Sequence, residues 1–320
     1  MKNKKTRKRA MLSSVAMLLV SVVALTTATY AWFSNSSKAQ VNSLDVNVAS
    51  ASGIQISLTG TDNWKSAISG SEILSASSFA GTLTPVSTAL GPDAKTGEDN
   101  ELKFYLGTMA DGGNDVITTA ATKNSQYLAV DLYVKVTQDC DVYLGSGSSV
   151  SDTTTMIKGS EALRIALVNC GYFENENAVN SPDINASDVP ALSDAVYLWE
   201  PNSSEHVNAG SDLFYKTEIA ANGNADAKYT YLGIDKEGTI TDGKITSDDL
   251  LTNGMAKEIT TAKTPLAKGT SNEDCKITSI KSGITKLRLY VWMEGQDADC
   301  VNDIASAAIS ANICFEKPQA

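Results

Sequence analysis

The chain carries a single histidine, His206, in the stretch EPNSSEHVNAG. Serine or cysteine nucleophiles need a histidine beside them and a third group to orient it. His206 lies in a polar, loop-like stretch, and no Gly-x-Ser-x-Gly elbow occurs in the chain, so it reads as a surface histidine. There is no His-Glu-x-x-His pair, which excludes a conventional zinc protease. The glycines at Gly145 and Gly147 lack the Lys-Ser/Thr ending of a phosphate loop. Scattered carboxylates show no spacing that pairs an acid with a base. The chain is not expected to be an enzyme, and no cofactor is expected.

The five cysteines are Cys140, Cys170, Cys275, Cys300 and Cys314. No two stand in a Cys-x-x-Cys arrangement for zinc or redox work. Cys140, Cys275 and Cys300 directly follow Asp139, Asp274 and Asp299, and a neighbouring carboxylate disfavours a thiolate. Two readings stand side by side. Cys300 and Cys314 could close a disulfide between C-terminal strands in an exported protein, or all five could be buried thiols.

Calcium wants several oxygens around a tight turn. The segment Asp297-x-Asp299-x-x-x-Asp303, with Glu294 upstream, comes nearest to that, followed by Asp111-Gly-Gly-Asn114-Asp115. Neither fits the EF-hand loop, nor does Asp235 to Asp249, so both read as solvated acidic turns and no metal is expected. Tyr290, Trp292 and Tyr133 fall on the face of their strands opposite the apolar one. Such rings could stack on sugars in a lectin-like site. Cover by a loop or by a long insertion is the expectation, since strands favour aromatics in any case.

The elements that would position these residues are strands. Apolar residues alternate with polar ones over Val41 to Val48, where Leu44, Val46 and Val48 share a face. The same period runs over Gly53 to Leu58, Tyr127 to Val136, Leu163 to Leu167, Leu287 to Met293 and Ile309 to Phe315. One apolar face per strand implies two sheets packed face to face. Helical periodicity after Ala31 is confined to Ser247 to Ala256 and Val301 to Ala308. Thr59 to Gly97 and Ser146 to Thr155 read as loops. Residues 171–268, dense in Asn, Asp and Gly, read as a long loop-rich insertion with short strands at Ala195–Trp199 and Lys228–Leu232.

Met1 to Arg9 holds six basic residues, and Ala10 to Ser37 holds no charge. A basic head, an apolar run and small residues form the order of a secretory signal, with Thr29 and Ala31 at its cleavage positions. The hydrophobic helix expected there is removed if cleavage follows Ala31. Retained, it is a membrane anchor through residues 10–31, with the same topology. Residues 1–31 take six basic and no acidic residues with them. The remainder then sets 20 basic against 37 acidic residues, a net of −17. Such a charge repels phosphate backbones, so no nucleic-acid partner is expected.

Thr29-Tyr30-Ala31-Trp32-Phe33 resembles the T-x-A-x-F pattern at the cleavage site of TasA-like and camelysin-like proteins. Asn42 to Val48 stands where those proteins carry their first strand, while Ser34-Asn35 replaces the acidic residue common after the Phe. Near the other end, Trp292-Met-Glu294-Gly295-Gln-Asp297-Ala-Asp299-Cys300 resembles a segment of exported clostridia-like proteins with the same kind of signal. The resemblance implies a Gram-positive, clostridia-like source and processing by a SipW-type signal peptidase. It also implies a jelly-roll sandwich, which would occupy residues 32–320 together with the insertion read above from composition at about 171–268. It further implies self-association into fibres of the cell surface or extracellular biofilm matrix. A mobile N-terminal strand can add to a neighbour's open sheet edge. The donor positions would be Trp32, Phe33, Leu44, Val46 and Val48. The alternative is a monomeric surface adhesin or glycan-binding module.

Overall fold

The structure is a computed structural model. It describes residues 43–51, 53–89, 100–109, 116–153, 159–179, 189–201, 238–240, 257–259, 275–295, 300 and 307–318. The strands are β1 (Ser43–Ser50), β2 (Ile54–Ser57), β3 (Ala67–Ile68), β4 (Pro85–Ala89), β5 (Lys103–Met109), β6 (Val116–Ala120), β7 (Leu128–Val136) and β8 (Cys140–Leu144). They continue as β9 (Ser149–Asp152), β10 (Leu163–Phe173), β11 (Val196–Trp199), β12 (Gly238–Ile240), β13 (Lys257–Ile259), β14 (Lys276–Ile280), β15 (Gly283–Glu294) and β16 (Ala308–Glu316). Short helices α1 (Gly70–Ser77), α2 (Glu176–Val179) and α3 (Leu192–Ala195) accompany them.

Among the described residues the chain is all-β, with its strands in two mixed sheets. The smaller sheet runs β14-β8-β16-β1-β3, with β9 also on β16. The larger runs β12-β6-β5-β4-β15-β10-β11-β13, with β7 on β15 and β2 on β7. The main core lies between the sheets. Leu44, Val46 and Val48 of β1 and Ile309, Ala311, Ile313 and Phe315 of β16 face the alternate apolar residues of β7, β10 and β15 there. The period-two reading of the sequence thus found these five strands and β2, with their inward faces.

The expectation of one apolar face per strand fails for β10 and β15. Both are buried almost throughout. A second core lies on the other side of the larger sheet, where β5 brings Phe104 against Tyr290 and Trp292. The ring centroids stand 5.5 and 5.1 Å apart, and Tyr127 stacks on Phe104 at 4.1 Å. Tyr290 and Trp292 are therefore covered, but by the strand β5 rather than by the loop or long insertion expected.

Two loop assignments are corrected. Thr59 to Gly97 contains β3, α1 and β4. Its α1 starts at Ser69, whose N–H donates to Glu72 at 3.1 Å, and ends at Ser78 in the left-handed conformation. Ser146 to Thr155 contains β9, which gains a ladder on β16 despite its serines. Ala308, read as the end of a helix, opens β16, and residues 301–306 lie outside the described residues. Ser247 to Ala256 and Lys228–Leu232 lie outside them too. Within 171–268, β11 pairs antiparallel with β10 and so belongs to the larger sheet.

Candidate functional site

The sequence singles out β1 as the strand with a task beyond packing. Its alternation places Leu44, Val46 and Val48 inward at 2, 0 and 1% exposure, while Asp45 points outward. Each inward side chain contributes about 1.5–3 kcal/mol of burial. The strand runs parallel to β16 over its whole length, with Leu44 beside Ile309, Val46 beside Ala311 and Val48 beside Ile313. A slip of one residue would turn this face to solvent, so the register is strongly specified.

On its other side β1 meets β3 only at Val48 and Ala49. Ser43 to Asn47 has no strand there among the described residues. Asn47 links three elements. Its side-chain amide donates to Asn312 at 3.4 Å, and its side-chain oxygen accepts from the Gly70 N–H of α1 at 3.0 Å. Asn312 in turn donates to Ser149 of β9 at 3.4 Å. The sequence reading missed this polar ladder. The outward alternation of Asp45, Asn47, Ser310 and Asn312 was its only signal.

Thr29, Ala31, Trp32 and Phe33 lie outside the described residues, as do Asp297, Asp299, Asp303 and His206. Cys314 is a half-buried thiol on β16, and Cys300 is buried. Cys140 is also a half-buried thiol. Burial raises the Cys140 thiol above its ordinary value, and the carboxylates of Asp141 and Asp139 add to the rise. Burial beside Glu316 raises Cys314 likewise. Neither is an activated nucleophile. Among the described residues no group of three or more His, Cys, Asp or Glu side chains could hold a metal. No described helix is long and apolar enough to cross a membrane, and residues 10–31 lie outside that search.

Charged residues gather on the second-core side of the larger sheet, among them Glu294, named above beside the acidic turn. Arg288 of β15 stands across from Asp131 of β7 and donates twice, Nε to Oδ1 at 2.6 Å and Nη2 to Oδ2 at 3.2 Å. Lys286 reaches the same carboxylate at 3.2 Å. Burial alone would raise the Asp131 carboxyl, but the two cations outweigh it and hold it below its ordinary value. Further along the strand, Glu294 accepts from Ser87 and, at 3.1 Å, from the Trp292 indole. Arg164 pairs with the fully buried Glu200 at 2.7 Å. Each of these groups has at least one fixed ionic or hydrogen-bonded partner, which is the arrangement of a structural network.

Compared with protein-family models, curated proteins and solved structures, the chain matches none.

Proposed function

We propose that the chain is an exported structural protein of the cell surface or extracellular biofilm matrix, built on a jelly-roll-like sandwich and assembling by addition of its N-terminal strand. The observation that supports this is the position of β1. The first described strand lies parallel to the last, with most of its other edge unpaired by any strand among the described residues. The same β1–β16 ladder can form between two copies. Leu44, Val46 and Val48 of one would then fill the core of the next, while Trp32 and Phe33 lie on the tether between them. Each copy gives one strand and receives one, so the addition does not close on itself and grows as a fibre.

Electron microscopy of residues 32–320 tests the reading, and filaments are expected. Exchange between copies is tested by mixing Asp45→Cys chains with Ser310→Cys chains under oxidation. The two positions are register partners on the outward face, so neither substitution disturbs the core. Crosslinked dimers of unlike chains are the expected result. Monodisperse monomers that never crosslink would overturn strand addition.

A further inference from the structure

We propose that the cleft lined by Tyr172, Tyr197, Asn169, Asp194, Ser279 and Lys281 binds a neutral saccharide, a mono- or disaccharide unit. The cleft has a volume of about 360 Å³, at the small end of ligand sites. It lies where β10, β11 and β15 of the larger sheet meet β14 of the smaller one.

Its geometry is built rather than incidental. The ladder between β10 and β15 shifts register between Asn169 and Tyr172, and Gly171 there takes a φ of 120°. A bulge of this kind re-aims the side chain that follows it. Gly283, at φ +132°, leaves room for the ring, because a Cβ there would stand 2.7 Å from the Tyr172 hydroxyl. Both rings are fixed by their hydroxyls. Tyr172 donates to the Ser282 carbonyl at 2.6 Å and Tyr197 to the Asp194 carbonyl at 3.2 Å. The buried Asn169 is held by Thr278 at 3.0 Å and by the Gly171 N–H at 3.0 Å, which makes a rigid polar floor.

The chemistry fits a sugar. Aromatic faces take up the C–H side of a pyranose, and its hydroxyls need donors and acceptors close by. The exposed Lys281 ammonium lies over the Tyr172 ring, 5.7 Å from its centroid, and brings N–H donors to the rim of the cleft. Asp194 is exposed and accepts. One cation and one anion leave the cleft without net charge, which disfavours nucleotides and other polyanions on so acidic a chain. The inference does not depend on fibre formation.

The test is calorimetric titration of the whole exported chain with glucose, galactose, mannose, N-acetylglucosamine and the disaccharides maltose, lactose and chitobiose. Saturable binding of at least one is expected, weakened about tenfold or more by Tyr172→Ala. Circular dichroism checks that the variant still folds. The exposed Lys281→Ala reads the same cleft where Tyr172→Ala does not fold. No saturable binding to any of these sugars, or binding unchanged in the folded variants, would overturn the proposal.

Discussion

Val46 of β1 stands directly beside Ala311 of β16, in parallel register, and both are fully buried. The pair ties the first described strand to the last at the centre of the smaller sheet.

The two faces of β1 therefore respond differently to substitution. Val46→Ala should cost about 2 kcal/mol through lost burial and a residual cavity. Asp45→Ala, on the outward face, should stay within about 0.5 kcal/mol. Denaturant unfolding of the two variants checks the register, and a larger cost at Asp45 would refute it.

Arg288→Met removes both donors to Asp131 and leaves a partly buried carboxylate with Lys286 alone. A loss of about 3 kcal/mol is expected. The native chain also has an acid dependence here. The folded Asp131 carboxyl lies below its ordinary value, so its contribution is complete above the unfolded value of 3.8. That contribution is lost as pH falls through the folded value. In Asp131→Asn this part of the acid unfolding curve should be absent.

Glu72 offers a milder probe. Its carboxylate pairs with Lys65 and accepts the Ser69 N–H, and these bonds lower it from 4.5 to about 2. The link stabilises α1 above pH 4.5 and fades as pH falls towards 2. Lying at the surface, it should show in the carboxyl titration of Glu72 by NMR more clearly than in global unfolding.

The hydroxyl of Tyr290 accepts the buried N–H of Leu102 at 3.1 Å. Tyr290→Phe strands that donor and should cost about 1–3 kcal/mol, read by thermal unfolding. Alkaline difference spectra should show Tyr127 ionising late, since burial pushes it up to about 12, with Tyr290 later still.

Cys140 and Cys314 are half-buried thiols with raised values. Iodoacetamide should label them slowly at neutral pH and faster above pH 9, followed by mass spectrometry. Fast labelling at pH 7 would contradict the described surroundings.

The sequence revealed the strands with one wet face, because their alternation is written in the residue order. It concealed the second core. Trp292, Tyr290 and Arg288 alternate with Val291, Leu289 and Leu287 as solvent-facing residues would, and only the arrival of Phe104 from β5 makes that face an interior. It also concealed β9, whose serines carry no strand signal and which forms because β16 offers an edge. At the candidate site, Leu44, Val46 and Val48 were legible. Their partners were not, because a parallel pairing between distant segments leaves no local mark. The tyrosines of the sugar cleft were hidden for a related reason, since a register shift and a glycine aim one of them.

The Asn47 and Asn312 side chains that touch across β1 and β16 are 265 residues apart in the chain. Contacts of such separation come late, because a very long loop must close before they repay its entropy. A chain emerging from the ribosome or threading a translocation pore cannot complete its smaller sheet until residues 308–316 have followed. Until then β1 is an apolar strand without its main neighbour, which is the interval in which another molecule's β16 could reach it first.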